Sequence, residues 1–184
     1  MNTLPGVWLD DLTRQEALSR FGGDAVAVVP VASGRVAQPH LPLKTATLVA
    51  RALGQKLLER VPVVMAAVVD AGSIRQRDML GQILGARLDE VRSLGARRLA
   101  ILDVAPSGGA PLDVAGDVLM LRICDRSDAA EFATSCMMAL DPRSVRMALL
   151  PAGSYSDAFS GERRMSSEVD AIATALVTKW PDLI

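Results

Sequence analysis

Aromatic side chains and histidine are scarce in this chain of 184 residues, of which 3% are aromatic and one is a histidine. A nucleic-acid-binding surface usually shows a basic stripe interleaved with aromatics. Here the formal net charge is −1 and both signs are scattered, so no nucleic-acid partner is predicted. No apolar run reaches the ~18 to 20 residues that span a bilayer. No basic region followed by a long apolar run, typical of a signal peptide, begins the chain.

Cysteine is also rare, with Cys124 and Cys136 alone and without the spacing of metal ligands. Such thiols are typical of a reducing compartment rather than of a disulfide framework. We therefore predict a cytoplasmic protein that makes no contact with membranes.

Aliphatic residues dominate what is present, since half of the chain is apolar. Continuous apolar runs indicate strands that are buried on both faces. Strands are predicted at 25–31, 62–70, 97–105, 117–124 and 145–151. Helices are predicted at 10–21, 45–60, 75–95, 129–140 and 167–180, and a polar loop at 153–165. This alternation predicts a three-layer α/β/α sandwich with a mostly parallel sheet, as one domain over residues 1–184.

A rigid segment follows the first predicted strand. The sequence "VPVASGRVAQPHLPLKTA" (29–46) turns through Ser33 and Gly34 and places His40 between two prolines. Ligands of parallel α/β sheets bind at the carboxyl ends of the strands. This segment is therefore a candidate functional site.

Three segments resemble, in order, the motifs of the creatininase (creatinine amidohydrolase) family. Residues 29–46 are similar to "LPVGSTEQHGPHLPLGTD" and share the run "PHLPL". The segment "APSGGA" (105–110) stands where the family has "NGHGGN", and "DAAEFATSCMMAL" (128–140) is similar to "HAGExETSxMLAL". The resemblance covers residues 25 to 150 and implies a shortened creatininase-like fold that assembles into oligomers.

The metal ligands of the family are missing from the matching positions. The resemblance implies a two-metal centre, typically of zinc or manganese, held by the Glu and His of "EQHG", the Asp of "GTD" and the His of "NGHGGN". Those positions hold Arg35, Ala37, Ala46 and Ser107 in this chain. A guanidinium, two methyl groups and a hydroxyl are poor ligands for a divalent cation. We therefore expect a degenerate site with no metal and no other cofactor.

The remaining polar residues of the motifs give the candidate catalytic set. Glu131 keeps a carboxylate of the family pattern, and Asp128 replaces its catalytic histidine. If the chain is an enzyme, Glu131, Asp128 and His40 are the catalytic candidates. One alternative is a structural role for His40 in fixing the loop. Another is a Ser-His-Asp arrangement that recruits Ser33 or Ser107 together with Asp103 or Asp128.

A binding set is also predicted, and it consists of Arg35, His40, Lys44 and Ser107. Three interpretations of Arg35 stay open. In the first, its guanidinium replaces the metal's charge and pairs with Glu131 or Asp128, because a buried carboxylate without a partner is costly. In the second, Arg35 forms an anion site with His40, Lys44 and the start of the following helix near Thr45. In the third, Arg35 is simply exposed to solvent.

Three functions follow from these observations. The first is a non-catalytic structural or regulatory subunit, acting as a homo-oligomer (dimer to hexamer) or with a partner enzyme of a biosynthetic pathway. The second is a metal-independent hydrolase of amides or cyclic amides. The third is a protein that binds a small anionic metabolite. For the first, we expect the association surface around Trp8 and along 153–165, which carries Tyr155 and Phe159.

Overall fold

A parallel sheet lies at the centre of the computed structural model, which describes residues 5–33, 38–71, 77–105, 112, 114, 116–123 and 129–184. Its strands are β1 (Val7–Trp8), β2 (Val26–Ala32), β3 (Val64–Met65), β4 (Val69–Asp70), β5 (Arg98–Val104) and β6 (Val118–Ile123). The order across the sheet is β1-β3-β2-β5-β6, and β4 also pairs with β2. Every pairing is parallel, as the buried apolar runs predict.

Helices cover both faces of this sheet. They are α1 (Arg14–Gly22), α2 (Thr45–Leu58), α3 (Arg77–Ser93), α4 (Ala129–Leu140) and α5 (Ala158–Lys179). Successive strand side chains point to opposite faces, so Val28 packs with α2, α4 and α5 while Val29 packs with α1 and α3. The predicted three-layer α/β/α architecture is confirmed.

The predicted strand at 62–70 is split into two pieces. β3 pairs with the start of β2, and β4 pairs with its end. Residues 66–68 between them leave the ladder, and Ala67 and Val68 line a surface cleft there. The apolar run predicted the buried position of this segment but not its interruption.

The predicted edge strand at 145–151 is wrong. Two short 3-10 helices, Pro142–Ser144 and Met147–Leu149, occupy this part of the chain. Between them the backbone N–H of Arg146 donates to the carbonyl of His40 at 2.9 Å. A short apolar run does not by itself distinguish a strand from other packed segments, and here the run lies against the His40 loop.

The predicted loop at 153–165 is also wrong in its second half, where α5 already begins. Asp157 caps the helix, since its Oδ1 accepts from the Ser160 N–H at 2.8 Å. Gly161 lies so close to α4 that a Cβ there would stand 2.0 Å from the Ser135 carbonyl oxygen. This glycine permits close contact between helices rather than ending one. No helix in the described part of the chain is both long and apolar enough to cross a membrane.

Candidate functional site

A buried carboxylate lies near the carboxyl end of the central strand β5. Asp103 stands beside Arg122 in the register of β5 and β6. The hydroxyl of Ser33, directly after β2, donates to Asp103 Oδ1. Arg122 Nε lies 3.5 Å from Asp103 Oδ2. The three side chains form a cluster on the α3 face of the sheet, which we call the Asp103 cluster.

Burial controls the electrostatics of the Asp103 cluster. Asp103 is 0% exposed, and this burial raises the pKa of its carboxyl, while the Ser33 hydrogen bond and the Arg122 charge act to lower it. Burying a carboxylate without such partners would be strongly unfavourable. Ser33 and Arg122 therefore stabilise the charge of Asp103.

His40 lies on the opposite face of the sheet, against α4. Its ring is 3% exposed, and its Nε2 lies 2.8 Å from Thr134 Oγ1. The Thr134 hydroxyl lies 2.8 Å from the Ala130 carbonyl and donates its one proton there. The hydroxyl can then only accept from His40, so Nε2 carries the proton and Nδ1 the lone pair. Burial also lowers the pKa of His40, which favours this neutral form.

These hydrogen bonds exclude a Ser-His-Asp triad made of Ser33, His40 and Asp103. Ser33 donates directly to Asp103, and the His40 ring pairs with Thr134. Because the two groups lie on opposite faces of the sheet, the imidazole does not stand between the hydroxyl and the carboxylate.

The other predicted site residues are placed as follows. Glu131 is half-buried in the first turn of α4, and its carbonyl lies 3.5 Å from the Ser156 hydroxyl. Lys44 is exposed just before α2 and lines a groove along that helix. The His40 ring instead faces α4. The positions of Arg35, Ser107 and Asp128 lie outside the described residues.

The structure describes one of the four positions where the family pattern has a metal ligand. Ala46 is 3% exposed, and its methyl group belongs to the apolar core on the face of α2, α4 and α5. Among the described residues, no group of three or more His, Cys, Asp or Glu side chains could hold a metal ion. These residues do not fit a two-metal centre.

Solved structures of other proteins share this architecture. A crystal structure of creatinine amidohydrolase (creatininase) superposes with a TM-score of 0.74 at 17% identity, over 95% of this chain and 98% of that chain. The chain has a creatininase-like fold. "Creatininase Mn" gives a TM-score of 0.73 at 17% identity, over 96% of this chain and 99% of that one.

A third solved structure has the same creatininase-like fold. A putative creatinine amidohydrolase from Bacteroides fragilis gives a TM-score of 0.60 at 18% identity, over 95% of each chain. No protein-family model matches the chain, and no curated protein is significantly similar to it in sequence. The resemblance drawn from three short motifs is thus confirmed in the fold.

Sequence reasoning missed two partners within this creatininase-like fold. The third motif includes Thr134 but does not predict its hydrogen bond to His40, which lies 94 positions away in the sequence. Arg122 was taken as part of a buried strand. A signal was present, because Asp103 and Arg122 each interrupt an apolar strand, and charges in such strands need partners.

Proposed function

We propose that this chain is a non-catalytic, creatininase-like scaffold that acts as a structural or regulatory subunit, by self-association or with a partner enzyme. The observation that carries the proposal is the position of Ala46. Where the family pattern has a metal-binding carboxylate, a methyl group packs into the core at 3% exposure.

The hydrogen bonding of the described polar groups supports the same proposal. His40 Nε2 is occupied by Thr134, and the Asp103 carboxylate is held by Ser33 and Arg122. A group that catalyses needs access to substrate. At 3% and 0% exposure, His40 and Asp103 are suited to stabilising the fold.

An association surface is proposed next to the start of α5. Tyr155 and Phe159 are 87% and 78% exposed, and Met147 and Leu149 of the preceding segment are 60% and 52% exposed. Large exposed apolar side chains that cluster on a surface mark sites of interaction. Trp8 is half-buried and hydrogen-bonded to Gln55, so we assign the surface to the α5 segment rather than to Trp8.

The native mass of the purified chain tests this proposal. We expect an oligomer that the double variant Tyr155→Ser/Phe159→Ser converts to smaller species. Ile184→Ser is the matched control, because Ile184 is also exposed, at 72%, but lies beyond the opposite end of α5. A monomeric wild-type chain that recovers no companion from a pull-down would contradict the scaffold role.

A further inference from the structure

A groove lies beside α2, between the exposed face of that helix and the segment that follows β1. Its larger part has a volume of about 500 Å³ and its smaller part about 350 Å³. Trp8, Asp11 and Arg51 line both parts, so the two adjoin at these side chains. We call the whole the α2 groove. Its volume lies in the ~300 to 1,000 Å³ range of small-molecule sites.

The indole of Trp8 is a fixed wall of the α2 groove. Its Nε1–H donates to Gln55 Oε1 at 2.9 Å. The ring lies against Gly54, where a Cβ would stand 2.9 Å from the ring atom Cη2. The backbone of Trp8 is held in addition, because β1 pairs with β3. A planar group entering the groove therefore meets an aromatic ring that is already in place.

Charges of both signs surround this ring. Lys44 directly precedes α2, and Arg51 lies on that helix two turns further along. Asp10 and Asp11 belong to the short 3-10 helix Leu9–Asp11, which follows Trp8. Within the described part of the chain, none of these four side chains forms a salt bridge or hydrogen bond. By contrast, Lys56, near the end of α2, is paired with Glu162. The charges of the groove are available to a ligand.

We propose that the α2 groove binds a small zwitterion that carries a planar ring, of which an aromatic amino acid is the simplest example. The ring stacks on the Trp8 indole. The carboxylate pairs with Arg51 or Lys44, and the ammonium group with Asp11 or Asp10. This inference goes beyond the scaffold role and does not depend on it.

The charge pattern disfavours ligands of one sign. A simple anion attracted by Arg51 meets the carboxylates of Asp10 and Asp11, and a simple cation attracted by them meets Arg51 and Lys44. Like charges at close range disfavour binding, whereas a zwitterion satisfies both sets.

The test uses L-phenylalanine and two analogues that each lack one charge. Phenethylamine lacks the carboxylate, and 3-phenylpropionate lacks the ammonium group. The chain has two tryptophans, so a ¹⁵N-labelled sample gives two indole N–H signals, which Trp180→Phe assigns. We expect millimolar L-phenylalanine to shift the Trp8 signal, and each analogue to bind at least about tenfold more weakly, as loss of one charged contact predicts.

Variants complete the test of the α2 groove. Arg51→Gln and Asp11→Asn should each weaken L-phenylalanine binding by about tenfold, whereas Arg97→Gln, an exposed arginine outside the groove, should leave it unchanged. No shift of the Trp8 signal by L-phenylalanine would overturn the proposal. Equal binding of 3-phenylpropionate would overturn the zwitterion assignment in favour of an anion site. Both outcomes are independent of the native mass, so they leave the scaffold role untouched.

Discussion

The carboxyl end of the sheet and the α2 groove use polar residues in opposite ways. At the end of the sheet, His40 and Asp103 are buried, and the charge or proton of each is held by a neighbour. In the groove, Arg51 and Asp11 are exposed, and no salt bridge of the described residues includes them. A fold that resembles an enzyme thus has polar groups suited to stability where catalysis would be sought, and free charges elsewhere. Whether a polar side chain stabilises the fold or is open to a ligand therefore depends on its exposure rather than on its residue type.

The largest effect is expected at Asp103. Asp103→Ala should lower the free energy of unfolding by about 3 kcal/mol, because removing one member of a buried ion pair leaves its partner uncompensated. Urea denaturation of the wild type and the variant measures this difference. Asp103→Asn is the matched control, since its amide oxygen still accepts from Ser33, and its loss should be smaller. An Asp103→Ala variant that unfolds at the same urea concentration as the wild type would show that the carboxylate does not stabilise the fold.

A smaller loss is expected when the partner of His40 is removed. Thr134→Val keeps the shape of the side chain but leaves the buried Nε2–H without an acceptor, which should cost about 2 kcal/mol. Thr134→Ser retains the hydroxyl and should recover most of that stability in the same denaturation experiment. A Thr134→Val variant as stable as the wild type would contradict this role of the hydrogen bond, and a loss in Thr134→Ser alone would assign the effect to packing of the Thr134 methyl group.

The stability should also depend on pH through His40. Burial lowers the pKa of His40 in the folded chain, so the unfolded chain takes up a proton first as the pH falls below the ordinary histidine pKa of about 6.5. The contribution of neutral His40 is therefore fully present above that pH and is lost as the pH falls toward the lower, folded pKa. Denaturation between about pH 7 and pH 5 measures this slope.

His40 is the only histidine of the chain, so His40→Asn should remove that slope. The buried Asp103 carboxyl acts in the opposite direction, because its pKa is raised and the folded chain binds its proton first. A slope near pH 6.5 that persists in His40→Asn would contradict the neutral, buried assignment.

The smallest effect on stability is expected in the α2 groove. Arg51→Gln and Lys44→Gln should each change the free energy of unfolding by less than about 0.5 kcal/mol, as is usual for exposed side chains without special contacts. Thermal unfolding without added ligand measures this. A loss comparable to that of Asp103→Ala would remove the distinction between the two regions.

The sequence predicts elements well where local chemistry determines them. The buried runs of β2, β5 and β6 appear as strands, and α3 ends at Ser93 with Gly95 at φ +96°, the left-handed conformation expected after a helix. The polar composition of 153–165 predicts a loop, although α5 begins at Ala158 and includes Gly161. This glycine allows the close approach of α5 to Ser135 of α4, a tertiary contact that no local pattern contains.

The candidate site was predictable only in part, for the same reason. The motif pattern draws attention to His40 but contains nothing about the partner of its ring. The partners of the buried groups come from distant positions, with Ser33 and Asp103 separated by 70 residues and His40 and Thr134 by 94. The α2 groove was not predicted, since its indole, its cations and its carboxylates come from three separate stretches of the chain.

The central claim, that the chain has a creatininase-like fold without a working metal centre, is tested most directly by thermal unfolding with added metal. The protein is first treated with a chelator, and Zn²⁺ or Mn²⁺ is then added in excess. A ligand that binds only the folded state at 100 times its Kd stabilises it by ~2.7 kcal/mol. We expect an unchanged midpoint of thermal unfolding and no stoichiometric metal after desalting. A raised midpoint together with one or more metal ions retained per chain would contradict it.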